Sequence, residues 1–273
     1  MPVSLHLPLP RDLLVTALVL HDPATAVLDA DLAVSSRAGR LAPLAHEALA
    51  RQIGDLRLLP VPDLAAAPVP PEGLLAVHGA DDSTLARMRS AVRGTAIGLV
   101  CSAAEALSAN RAVRAAAVLL TGPRDVLIDT EIPRIWLAEG RGDVSTVDWF
   151  LLDRSAARSG RADTRTHGLN RFGLPELMVR EVADADLPAW DAVLSGVAEQ
   201  LVRALPTADG AVELASPTLL RMTDVAAAYG EPVDGADPTL ARSTGVEVDL
   251  VECDGGQVLV LSGEPLADLF GAG

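Results

Sequence analysis

The residues of this chain best suited to chemistry lie in one stretch, "RADTRTHGLNRFGLPELMVREV", from Arg161 to Val182. Read as two strands joined by a glycine-bounded connection, it places Thr164, Thr166 and Gly168 on one side of the first strand and Arg165 and His167 on the other. On the returning strand Leu177 and Val179 share one side, and Glu176 and Arg180 the opposite one. A carboxylate among guanidinium groups and an imidazole forms a charge-assisted cluster. Arg165, His167, Arg171 and Glu176 are therefore the candidate binding residues. Two chemistries suit such a cluster: a site for an anion or carboxylate, and a histidine acid–base centre oriented by Glu176. A third reading needs no ligand, because a cross-strand polar ladder also fixes strand register. The sequence favours this structural reading: no Ser or Cys nucleophile is apparent beside His167, and no catalytic residue is assigned.

The remaining candidates are weaker. The five histidines are His6, His21, His46, His78 and His167, and none falls in an HxH, HExxH or Cys/His pattern. No metal site and no cofactor is expected. His46-Glu47 lacks a second histidine four residues on. His78 ends the apolar run "LLAVHG", read as a strand, and Asp81 and Asp82 follow it. Beside a strand end these groups would suit a metal or a phosphoryl group, but helix capping is their commoner use. Asp129 and Glu131 share one face of an extended segment, the pairing that glycosidases use; a solvated strand end is the plainer reading. "HGADDSTLA" is not a dinucleotide fingerprint, and "GLVCSAAEAL" around Cys101 lacks a nucleophile elbow. All 22 basic residues are Arg, with no Lys. Schiff-base, Walker-type and kinase-type lysines are thereby excluded, and a bound carboxylate or phosphate must be held by Arg or backbone N–H groups.

Composition bounds the partners. Net charge is −15, so phosphate backbones and anionic membrane faces are repelled, and neither nucleic acid nor membrane is expected as a partner. Cys101 and Cys253, lacking CxxC spacing, read as buried thiols of a reducing cytoplasm. The opening "MPVSLHLPLPRDLLVTALVLHD" is broken by prolines and does not read as a signal peptide. No apolar run reaches the roughly 18 residues that span a bilayer.

The elements that must position these residues follow from periodicity. Leu13 to Leu20 reads as a strand and Leu41 to Ile53 has helix spacing. "PVPDLAAAPVPPEG" is a stiff connector. Then come "LLAVHG" as a strand, "DDSTLARMRSAVRG" as a helix capped by Asp82 or Ser83 and stopped at Gly94, "TAIGLVCS" as a strand, the Ala-rich helix "AAEALSANRAVRAAAVLLTG" and "DVLIDT" as a strand. Such alternation predicts βαβ units. Beyond it, "RIWLA", "DWFLLD", "DTRTHG" and "PELMVREV" are strand candidates, and Leu187 to Leu205 is an amphipathic helix with Trp190 and Leu194 in its core stripe. Ser216 to Tyr229 is read as a helix capped by Ser216 with Pro217 in its first turn. "VEVDLVECDGGQVLVLSGE" is a hairpin turning at Asp254-Gly255-Gly256.

"THGLNRFGLPEL", with the preceding "RAVRAAAVLLTGPRDVLIDTEIPRIW", resembles bacterial domain-of-unknown-function families in which a strand reading His-Thr-His-Gly-Leu-x-Arg-x-Gly ends in a Glu-Leu pair. The resemblance covers Ala103 to Val182 and the helix after it. Arg165 stands where those families often have a first His. The resemblance implies a bacterial source and no particular activity.

The fold expected is α+β or α/β: a βαβ-like region over residues 1–140, then a mixed or antiparallel sheet with a packed amphipathic helix over 141–273, as two domains or one integrated domain. The function expected is a cytoplasmic, non-catalytic binding or protein-interaction module, taking a protein partner or a small anionic ligand. One alternative is a hydrolase-type or other enzyme using His167 or His78. Another is a toxin-neutralising partner, which the acidic charge would suit.

Overall fold

The computed structural model describes residues 3–25, 29–136, 145–155, 160–208, 210–233, 237–253, 256–263 and 265–270. The chain is α+β. It divides into two compact units: an inserted unit of residues 12–143 and an outer unit of residues 1–11 with 144–273.

The outer unit contributes the first strand, β1 (Val3–Pro8), and the chain then enters the inserted unit. There it forms β2 (Leu13–His21), α1 (Ala30–Arg37), α2 (Pro43–Gln52), β3 (Arg57–Val61), α3 (Glu72–Val77), α4 (Asp82–Ser90), β4 (Arg93–Cys101), α5 (Ala106–Leu120), β5 (Val126–Asp129) and β6 (Arg134–Trp136). The strands make one sheet in the order β3-β4-β2-β5-β6, and every neighbouring pair is antiparallel. Crossovers of the βαβ kind are present in split form. β2 and β3 run parallel with β4 between them, and β4 and β5 run parallel with β2 between them.

Strand alternation gives this sheet two buried faces. Leu18, Leu20, Val126 and Ile128 pack with Leu75 of α3 and with Leu85 and Met88 of α4. Val15, Ala17, Val19, Ile97, Leu99 and Leu127, all buried, point to the other face beneath α5, on which α1 and α2 pack. Most buried positions of α5 are Ala, from Ala106 to Ala117, so the helix can lie close to the strands.

The segment 74–79 differs from the strand expected. It is the end of α3 and its cap: only Leu75 of the run is buried, whereas Leu74 and Val77 are exposed. A short apolar run does not distinguish helix from strand, and here Pro71 at the N-cap and Glu72 in the first turn start a helix. The cap of α4 is Asp81 rather than Asp82 or Ser83.

The outer unit continues with β7 (Leu151–Arg154), β8 (Arg161–His167), β9 (Glu176–Ala183), α6 (Leu187–Ala204), β10 (Ala211–Ser216), β11 (Thr218–Arg221), α7 (Met222–Ala228), β12 (Ser243–Cys253), β13 (Gly256–Ser262) and α8 (Pro265–Phe270). Its larger sheet has the order β11-β12-β13-β9-β8-β7, parallel only between β13 and β9. β1 pairs antiparallel with β10, so residues 1–11 belong with this unit rather than with the first half of the sequence. The helix expected from Ser216 begins later, at Met222. Ser216 faces β12 instead, its Oγ accepting from Val248 N at 2.9 Å. The residues after the cis Ser216–Pro217 bond alternate buried and exposed, as a strand does. Of the expected turn at Asp254-Gly255-Gly256, only Gly256 (φ +118°) is among the described residues.

α6 forms over the expected residues and packs against β9 and α7, with Trp190, Leu194, Val197 and Leu201 buried. At Gly196 a Cβ would stand 2.8 Å from Leu220 Cδ1 and 3.0 Å from Val225 Cγ2, so the helix approaches β11 and α7 through a position with no side chain. Among the described residues no helix is long and apolar enough to cross a membrane. Because Leu194 has no solvent exposure, Leu194→Ala is expected to cost about 2–5 kcal/mol, read as a lower denaturant midpoint with an unchanged slope.

Candidate functional site

The histidine with a buried carboxylate partner is His21 of the inserted unit, rather than His167 or His78. His21 is the last residue of β2 and lies directly across from Arg93 of β4, with Thr95 two residues on along the same face. Its Nδ1 lies 3.0 Å from Asp125 Oδ2, and its Nε2 lies 2.9 Å from Thr95 Oγ1. Asp125 sits in the turn between α5 and β5 and its side chain has no exposure; that of His21 has 12%.

The Asp125 carboxylate accepts three further hydrogen bonds: from Asp22 N at 2.9 Å, from Thr25 Oγ1 at 2.7 Å and from Gly122 N at 2.8 Å. Burial alone would raise the pKa of this carboxyl. The hydrogen bonds from His21, Thr25, Gly122 and Asp22 outweigh it and hold the group well below the ordinary carboxylate range. An ionised carboxylate only accepts, so Nδ1 of His21 carries the proton of their shared bond. In the neutral ring Nε2 is then an acceptor, and the Thr95 hydroxyl donates to it. Thr25 has already committed its hydroxyl proton to Asp125, which leaves Thr95 as the hydroxyl that faces a base.

His21 and Thr95 line a cavity of about 330 Å³. Leu58 and Pro60 of β3 form apolar wall, Arg93 brings a cation, and Asp29 and Asp31 at the start of α1 bring carboxylates. Arg93 also donates to the carbonyl of Thr25, which ties it to the loop after β2.

A second concavity, of about 520 Å³, lies over the end of the same sheet that α3 and α4 leave open. Leu14, Leu59 and Val100 are exposed there, and Thr16 bonds Thr130 at 2.6 Å. Its lining includes no histidine or cysteine.

The Arg161–Val182 stretch is built differently from the expected cluster. Glu176 is buried and turns into the connection between β8 and β9, accepting from Thr166 Oγ1 at 2.7 Å, Gly168 N at 2.9 Å and Asn170 N at 3.4 Å. Arg171 is also buried; its Nε donates to Gly168 O and its guanidinium lies 5.5 Å from the centre of the Trp149 ring. Trp149 meets Phe172 edge-on at 6.3 Å. Gly168 (φ +122°) and Gly173 (φ +73°) hold backbone conformations that other residues rarely adopt.

Arg165 and His167 project elsewhere. His167 is 48% exposed and lies 3.6 Å from Asp153 across the β7–β8 pair. The structure thus joins Glu176 and Arg171 to one turn and does not bring them together with His167. Arg180 is exposed, 3.8 Å from Cys253 Sγ. A bulge at Glu181 (φ +52°), whose N–H bonds Asp163 Oδ1 at 2.8 Å, shifts the register of the pair.

His78 is the C-terminal cap of α3, and the Asp81 carboxylate accepts from Thr84 N and Ser83 Oγ. Asp129 ends β5 but is fully buried rather than solvated, its Oδ1 accepting from Glu131 N at 3.0 Å. Burial pushes the Cys101 thiol up to about 11, the opposite of the lowered value that marks a reactive cysteine. Among the described residues no group of three or more His, Cys, Asp or Glu is placed to hold a metal. Comparison with family models, curated proteins and solved structures finds no match for this chain.

Two measurements check this division of roles. The Asp125 carboxyl is held below its unfolded value of about 4, so the stability it contributes is present above that value and lost as pH falls below it. Asp125→Asn should lower the thermal midpoint at neutral pH and flatten its acid limb; an acid limb identical to the parent would contradict the low carboxyl pKa. In the turn, Glu176→Ala leaves buried donors unmet and should cost about 1–3 kcal/mol. His167→Ala on the surface should stay within about 0.5 kcal/mol of the parent. Equal effects in chemical denaturation would mean that the two residues act as one cluster.

Proposed function

We propose that the protein is a binding protein for a small molecule, with the ligand seated in the cavity of the inserted unit beside His21. One observation carries this reading: His21, oriented by the buried Asp125, opens onto a cavity that also presents the Arg93 guanidinium. A pocket with apolar walls and a few fixed polar groups is the usual form of a small-molecule site. The mixed charge narrows the ligand class. Arg93 and His21 suit a carboxylate or carbonyl oxygen, while Asp29 and Asp31 suit an ammonium or amide donor. A ligand with both ends, an amino acid or the end of a peptide, uses the whole set.

A test titrates free amino acids, their N-acetyl forms and dipeptides into the protein, following the His21 ring by NMR. The expected result is a shift of that ring, saturable at millimolar ligand or below, that weakens at least tenfold in Arg93→Gln. Failure of every ligand in the panel to move the ring would overturn the proposal, as would an unaltered affinity in Arg93→Gln.

A further inference from the structure

We infer that Thr95 is a nucleophile for acyl groups, with His21 as its general base and Asp125 as the residue that positions the base. The inference rests on the same cavity as the binding proposal but not on the identity of its ligand. It stands on three features of the geometry. The Thr95 hydroxyl is 2.9 Å from His21 Nε2. The opposite ring nitrogen is held by a carboxylate that is buried and can only accept, so the nitrogen facing Thr95 is the basic one. Both Thr95 and His21 border a cavity large enough for a small acyl compound. A hydroxyl, a base in contact with it and a third group orienting the base are the parts that activate an alcohol.

The substrate class is a carboxylic ester or thioester. Thr95 Oγ attacks the carbonyl carbon while its proton passes to His21 Nε2. The carbonyl oxygen becomes an oxyanion, and Arg93, two residues before Thr95 on the same face of β4, is the cation bordering the cavity that can meet it. Collapse of the tetrahedral species breaks the bond to the leaving oxygen or sulfur, which takes the proton from His21. Water then attacks the Thr95 acyl ester by the same route, its proton passing through His21, and releases the carboxylic acid with Thr95 restored. No oxidant, reductant or second substrate other than water is needed.

The test uses the full chain and p-nitrophenyl acetate, which has neither the ammonium nor the carboxylate of the proposed ligand. Because the chain has no lysine, acetyl groups on side-chain amines do not obscure the result. The expected outcome is a burst of p-nitrophenolate with one acetyl group located on Thr95 by peptide mass spectrometry. His21→Gln should slow that acetylation by about 10²–10⁴-fold, the usual contribution of a general base. Thr95→Val should abolish the burst, and Thr95→Ser, less hindered at the oxygen, should retain or quicken it. Asp125→Asn should lower the rate constant of the burst at saturating ester, whereas loss of fold alone would lower only its amplitude and leave the rate constant of the folded fraction in place. If a variant is too unstable to assay, the parent and Thr95→Ser still decide by the site of the label. Acetyl found only elsewhere, no acetylation at all, or acetylation of Thr95 unchanged in His21→Gln would each overturn the inference. A negative amino-acid panel together with a labelled Thr95 would overturn the binding proposal and leave this inference standing.

Discussion

A carboxylate without access to water is stable only when donors surround it, and the inserted unit is arranged around one that is so surrounded. Asp125 receives the ring of His21, the hydroxyl of Thr25 and the backbone N–H groups of Asp22 and Gly122. Those donors come from the end of β2, from the loop that follows it and from the turn after α5. One side chain therefore joins two connections far apart in sequence. The desolvation cost of the charge is offset only while all of these donors stay in place. The cavity beside His21 inherits its geometry from this condition, because a displaced β2 end would remove both the histidine and a wall.

The two histidine settings in this chain show why residue type alone decides little. His167 has neighbours of the right kind, yet it sits on an outward face with its nearest carboxylate, Asp153, itself exposed. His21 has one face sealed by a carboxylate and the other by a hydroxyl, so its proton has an assigned place. The Thr166–Glu176 turn has the opposite character. Its carboxylate is also enclosed, by the Thr166 hydroxyl and the backbone of its own turn, and its residues line neither of the two cavities of the inserted unit described above.

Much of the fold was legible because it rests on local periodicity. α5 and α6 announce themselves through apolar spacing over many residues, and β4 and β5 through dense apolar runs. The run at 74–79 was too short for its period to be read, and the first turn set by Pro71 and Glu72 decided it. The division of the chain was half legible: nothing in "VSLHLP" indicates that its partner strand is β10. The candidate site was least legible. Glu176 was singled out within a short stretch, though with Arg165 and His167 rather than with its partner Thr166 ten residues away, whereas His21 and Asp125 lie 104 residues apart. Each belongs to an ordinary-looking segment, a strand end before Asp-Pro and a turn after Gly-Pro. The only local signal was a histidine closing a buried strand, a sign noted at His78 and passed over at His21.

The pairing of β1 with β10 makes the order of synthesis differ from the order of assembly. Ser4 and Glu213, whose side chains meet across that pair, are 209 residues apart. β1 is synthesised before the inserted unit and much of the outer unit, and its partner β10 leaves the ribosome only after them. The inserted unit has no such delay: all its strands pair within residues 13–136. It is thus able to complete its sheet, and the enclosed carboxylate within it, while the outer unit is still being translated. A growing chain arrested between the two units would already hold the His21 cavity and would still lack the partner of β1.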